Sequence, residues 1–144
     1  MLMPNPANTS GNDLEARVRE VIRQCKIRPY KHHRIGTFGV FGEEMESDVL
    51  ISSNKAFPLG LIIQCKAQNS VGSAHLKLYY LHDSIKHHYP RPAVIVCDGT
   101  SKEIKAACDW LKQHVGGMLW GVFWFDEFAE WFAKKAEECP DEWE

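Results

Sequence analysis

The chain contains no apolar run approaching the ~20 residues a bilayer span needs, and no lysine or arginine precedes Arg17 to open a secretory signal. Both absences lead to the expectation of a soluble, cytoplasmic protein with no membrane partner. There is no CxxC pair: the five cysteines (Cys25, Cys65, Cys97, Cys108 and Cys139) form an odd, scattered set. A disulfide framework and a thiolate zinc site are therefore not expected, and the thiols read as reduced and mostly core. HExxH is also missing, and the adjacent pairs His32-His33 and His87-His88 have no cysteine at ligand spacing, so a zinc centre is not expected either. Repeats and low-complexity tracts are absent. With 144 residues, 44% hydrophobic and 25% charged, the composition is that of one globular domain.

A positive surplus is lacking as well, since 17 Lys/Arg face 19 Asp/Glu for a net charge of −2, which disfavours a general nucleic-acid binder. The distribution is uneven, however. Residues 1–100 hold twelve basic and nine acidic side chains, and residues 101–144 hold five and ten. Arg23, Lys26, Arg28, Lys31 and Arg34 follow one another with no carboxylate between them, a stretch suited to a polyanion.

Hydrophobic period divides the chain as α-β-β-β-α-β-α-β-α. Residues 1–12, with two prolines and no period, read as a flexible arm, 13–138 as a single domain and 139–144 as an acidic tail. Asn12 is expected to cap a first helix whose Leu14, Val18, Val21, Ile22 and Cys25 form an apolar stripe, with Glu15 at its edge. Period two between Ile35 and Ser52 predicts two strands. In the second, Met45, Ser47, Val49 and Ile51 are expected on one face and Glu46, Asp48 and Leu50 on the other. Leu59 to Gln68 reads as a third strand that gathers Gln64, Lys66 and Gln68 on one face. Gly72-Ser73 is expected to cap a helix with Ala74, Leu78, Leu81 and Ile85 buried. Ala93 to Cys97 reads as a central strand and Ser101 as the cap of a helix over Ile104, Ala107, Cys108 and Leu111. A strand from Met118 to Trp124 and a helix capped by Asp126 complete the order. The aromatic residues between Trp120 and Phe132 read as core or as a homodimer interface.

Lys66 stands out, because burying an unpaired ammonium in an apolar strand costs several kcal/mol. If the second and third strands are neighbours, Glu46, Asp48, Gln64 and Lys66 converge on one face. Oxygen donors of this kind suit Mg²⁺. A helix bearing Glu15, a strand bearing Ser47-Asp48, then Gln64-Cys65-Lys66 and the helix segment GSAHLKLYYL together resemble the PD-(D/E)XK nuclease superfamily in its QxK form, over residues 13–98.

The resemblance implies an α/β, restriction-endonuclease-like αβββαβ core, with a central mixed sheet flanked by helices. It implies that Asp48 is the principal metal ligand, that Gln64 takes the second acidic position and Lys66 that of the catalytic lysine. Glu15 would support the metal or its water, and the main-chain carbonyl of Cys65 would be a further ligand. Serine stands where the family has proline before Asp48, and glutamine replaces the second carboxylate, with Glu46 placed to supply charge. The expected activity is a Mg²⁺-dependent DNA endonuclease, with Mn²⁺ able to substitute, of restriction or defence type. The alternatives are a Holliday junction resolvase-like nuclease and a non-catalytic nucleic-acid-binding module. Arg28, Lys31, Arg34 and Lys77 are the expected phosphate contacts. A chain this short is expected to need a homodimer or a larger DNA-recognition partner.

Overall fold

Alternating apolar residues and the turns between them produce, in the computed structural model, the element order read from the sequence; the structure describes residues 6–38 and 44–138. These are α1 (Pro6–Gln24), β1 (Tyr30–Phe38), β2 (Glu44–Ile51), β3 (Leu61–Ala67), α2 (Leu76–His88), β4 (Ala93–Asp98), α3 (Lys102–Lys112), β5 (Leu119–Trp124) and α4 (Phe125–Glu137). The strands form one mixed sheet in the order β1-β2-β3-β4-β5. β1, β2 and β3 pair antiparallel, whereas β3, β4 and β5 run parallel. This is the α/β, restriction-endonuclease-like architecture that the Lys66 motif implied. No helix among the described residues is long and apolar enough to cross a membrane.

Helices cover both faces. Leu14, Val18 and Ile22 of α1 and Phe128 and Phe132 of α4 pack on Val49, Ile63, Val94 and Val96. On the other face, Leu78 and Ile85 of α2 and Ile104, Cys108 and Leu111 of α3 pack on Leu50, Ile62 and Ile95. β4 is buried from Ala93 to Cys97, as a central parallel strand should be. Cys65, Cys97 and Cys108 are buried free thiols and Cys25 is half-buried. Phe128 and Phe132 are fully buried, while Trp120 is 41% exposed.

Several helix ends differ from expectation. α1 starts at Pro6, ahead of Asn12: proline's fixed φ suits a first helical turn, and the helix runs on through Asn12 rather than starting there. Its C-terminus closes with Lys26 at φ 63°, where Ile27 N donates to Ile22 O and Lys26 N to Arg23 O, a left-handed cap formed without glycine. α2 has no Gly72-Ser73 cap. Successive three-residue turns from Ser73 lead into it, and Gln68 Oε1 accepts the His75 N–H at 2.8 Å. Ser101 caps α3 as expected, its hydroxyl accepting from Ile104 N. α4 instead begins at Phe125, with Glu127 reaching back to accept the Trp124 N–H, so Asp126 lies inside the first turn. The expected arm is helical from Pro6, and residues 1–5 and 139–144 lie outside the described residues.

Candidate active site

The β2–β3 ladder is short. Val49, Leu50 and Ile51 pair with Ile63, Ile62 and Leu61, and no further register pair joins the two strands among the described residues. Below Val49 the regular alternation of β2 also breaks. Val49 and Ile51 face the α1/α4 core, but Met45 joins the opposite core beside Leu50 and Ile62, so the expected single face of Met45, Ser47, Val49 and Ile51 is not formed. Within this stretch Ser47 is fully buried, and its hydroxyl bonds the Val49 carbonyl two residues on.

Gln64 fills the opening. Its Oε1 accepts the Asp48 N–H at 3.0 Å, and its Nε2 donates to the Glu46 carbonyl and to the Tyr89 hydroxyl, both at 2.8 Å. A side-chain amide thus replaces ladder bonds that the strand backbones no longer make. Asp48 Oδ2 accepts the Cys65 N–H at 2.8 Å. Because the N–H and C=O of a strand residue point to the same side, the Cys65 carbonyl also faces the β2 side, past the end of the ladder.

Glu15 approaches from the edge of the α1 stripe. Its Oε1 lies 3.4 Å from His32 Nε2 and 3.9 Å from an Arg19 guanidinium nitrogen. One donor atom each from Glu15, His32 and Asp48 fall within 4.8 Å of one another. His32 stands on β1 between Lys31, paired with Val49, and His33, paired with Ser47, which places it across from Asp48. Sequence reasoning passed over His32 because zinc spacing was absent, and its place across from Asp48 follows only from the register of β1 on β2.

Lys66 is half-buried and opens onto a cavity of about 350 Å³ lined also by Glu46, Asp48, Gln64, Lys77 and Tyr89. The expected convergence of Glu46, Asp48, Gln64 and Lys66 is therefore present. Lys31, on β1, is near enough for its charge to act on Glu15, and Lys77 lines the cavity from α2. Arg34 pairs in register with Glu46. Arg28 stands apart, lining a second cleft with Ile27, Tyr30 and Asn54.

The carboxyls carry the electrostatic cost of this arrangement. Burial raises the Asp48 pKa, against the Cys65 N–H and the Lys66 charge. Burial also raises that of Glu15, and the Asp48 charge adds to it. Burial pushes the Tyr89 hydroxyl up to about 12, so it remains a neutral phenol beside Gln64. Two carboxylates held close together against their own repulsion, with an imidazole and a main-chain carbonyl on the same side, form an oxygen-rich set that fits a small divalent cation. Next to it, a flexible ammonium can hold a water or a phosphate oxygen.

Residues 6–135 match a family model described as the PD-(D/E)XK nuclease superfamily domain. No curated protein matches the chain, and no solved structure does.

Proposed function

The chain belongs to the PD-(D/E)XK nuclease superfamily, and from that premise we propose that it is a Mg²⁺-dependent endonuclease hydrolysing DNA phosphodiester bonds, of restriction or defence type, with Mn²⁺ able to substitute. The observation that carries this reading is the meeting of Asp48, Gln64 and Lys66 on one cavity, with Glu15 beside Asp48. Asp48, Glu15 and the Cys65 carbonyl would hold the ion, which when bound supplies Lewis-acid stabilisation of charge on the phosphate. The Lys66 ammonium donates a hydrogen bond that orients the attacking water or a phosphate oxygen. Water oxygen then bonds to phosphorus, the bond to the leaving deoxyribose oxygen breaks, one water proton passes to solvent, and the leaving oxygen takes up a proton from solvent to become a hydroxyl. Lys77, which lines the cavity, Lys31, whose charge acts on Glu15, and Arg34, in register with Glu46, would supply phosphate contacts, and Arg28 a further one from its separate cleft. A homodimer, or a larger DNA-reading partner, would provide the second active site for a double-strand cut.

One observation favours a second reading, a non-catalytic nucleic-acid-binding module: the amide of Gln64 is spent on the fold and brings no charge to the cation. Incubation with supercoiled plasmid and Mg²⁺ or Mn²⁺, followed by a synthetic four-way junction, separates these readings and the resolvase alternative. The expected result is nicking that EDTA abolishes and that Lys66→Ala slows by about 10²–10⁴-fold. No metal-dependent cleavage of either substrate, or equal cleavage by the variant, would contradict the enzyme reading.

A further inference from the structure

Glu15 and Asp48 bring two side-chain donors to the candidate cation position. Gln64 occupies the sequence position from which a ligand is expected, yet both Nε2 protons are used, on the Glu46 carbonyl and the Tyr89 hydroxyl, and Oε1 accepts from Asp48 N. An amide side chain makes at most four hydrogen bonds, and Gln64 is only 6% exposed. Turning its oxygen toward an ion would give up three bonds and leave a backbone N–H and a carbonyl unpaired where the strands separate.

His32 has the opposite properties. Its side chain is 52% exposed, its Nε2 is 3.4 Å from Glu15 Oε1, and it shares the 4.8 Å cluster with Asp48. Donor atoms bound at ~2.1 Å to an octahedral ion lie roughly 3–4 Å apart, so these three reach one ion with small side-chain rotations. They come from three elements, α1, β1 and β2, and His32 is the exposed member of the three. Neighbouring His33 turns elsewhere, its ring 6.2 Å from that of Tyr30.

We propose that His32, and not Gln64, is the third side-chain ligand of the divalent cation, beside Glu15 and Asp48. Gln64 is then a positioning residue that holds β2 apart from β3 so that Asp48 can face the ion. An imidazole nitrogen in the set shifts preference from Mg²⁺ toward transition ions such as Mn²⁺. This inference rests on the metal-dependent reading above, but cation binding is measurable without cleavage.

The test uses Mn²⁺ alone as probe, on the wild-type chain and on His32→Gly, which relieves the φ of 47° at that residue. Electron spin-echo spectroscopy of the Mn²⁺-loaded protein should show coupling to a directly bound nitrogen that His32→Gly abolishes. Calorimetric Mn²⁺ affinity should fall about 10-fold or more, and Mg²⁺ affinity by less. Absence of nitrogen coupling with unchanged affinity would overturn the proposal and leave His32 as a hydrogen-bond partner of Glu15. Nicking by His32→Gly with an unchanged Mn²⁺ midpoint would also overturn it while the nuclease reading stands. A wild-type chain that binds no Mn²⁺ would overturn both.

Discussion

The parallel half of the sheet, β3-β4-β5, and the antiparallel half, β1-β2-β3, differ in regularity. β4 pairs with β3 residue by residue from Ala93 to Asp98, its shift against β5 falls at its first residue, between Ala93 and Val94, and its side chains are buried from Ala93 to Cys97. β1 and β2 contain a register shift between Arg34 and Phe38, a residue at φ 47°, a buried serine and a ladder of three pairs to β3. Carboxyls with raised pKa values, Glu15 and Asp48, lie on the irregular side. Ordinary packing rules account for the first half. The second departs from them where the candidate site stands, which is where strain and unfavourable charge are expected to be retained for function.

Variants in each half should expose this difference. The largest effect on stability is expected in the regular half. Ile95→Ala in β4, fully buried, should lower the unfolding free energy by about 2–5 kcal/mol, read from urea melts. Next comes the brace between the halves. Gln64→Glu removes the donor to the Glu46 carbonyl and Tyr89 and sets a carboxylate beside Asp48, so a loss of about 1–3 kcal/mol is expected at neutral pH in the same melts. Lys26→Gly, at the left-handed cap of α1, should stabilise by about 1 kcal/mol or less, because glycine takes φ 63° without a Cβ clash.

The smallest effect depends on pH. The folded pKa of Glu15 lies above its ordinary 4.5, so ionising it costs the fold stability; that cost is fully present above the folded value and absent below the unfolded one. In EDTA, Glu15→Gln should therefore melt slightly above wild type at pH 7.5, and the gap should close as pH falls to about 4. A gap that widened on acidification would mean that Glu15 sits in a net favourable field, contrary to the burial and Asp48 repulsion described above.

The two halves were also unequally legible in the sequence. Element order, β4 and α3 with its Ser101 cap follow from local period and turn chemistry, and the structure reproduces them. The meeting of Asp48, Gln64 and Lys66 was legible because strand alternation and the motif agree. The role of Gln64 in the fold was not, since it depends on β2 parting from β3 beyond the Val49–Ile63 pair, and a period-two reading assumes that the strands stay paired. His32 escaped for a related reason: alternation says nothing about which edge-strand residue lies across from a carboxylate until register is known. The start of α4 at Phe125 was hidden by Asp126, a good capping residue that sits one turn position inside a helix closed by Glu127.

The most direct measurement takes one preparation of Asp48→Asn and reads both its thermal midpoint without metal and its Mg²⁺- or Mn²⁺-dependent nicking of supercoiled plasmid. Asn can still accept the Cys65 N–H while removing a buried charge, so the midpoint should equal or exceed that of wild type at neutral pH, with nicking and metal-induced stabilisation both lost. Nicking at the wild-type rate, or a midpoint well below wild type, would contradict the view that Asp48 is retained for the cation at a cost to the fold.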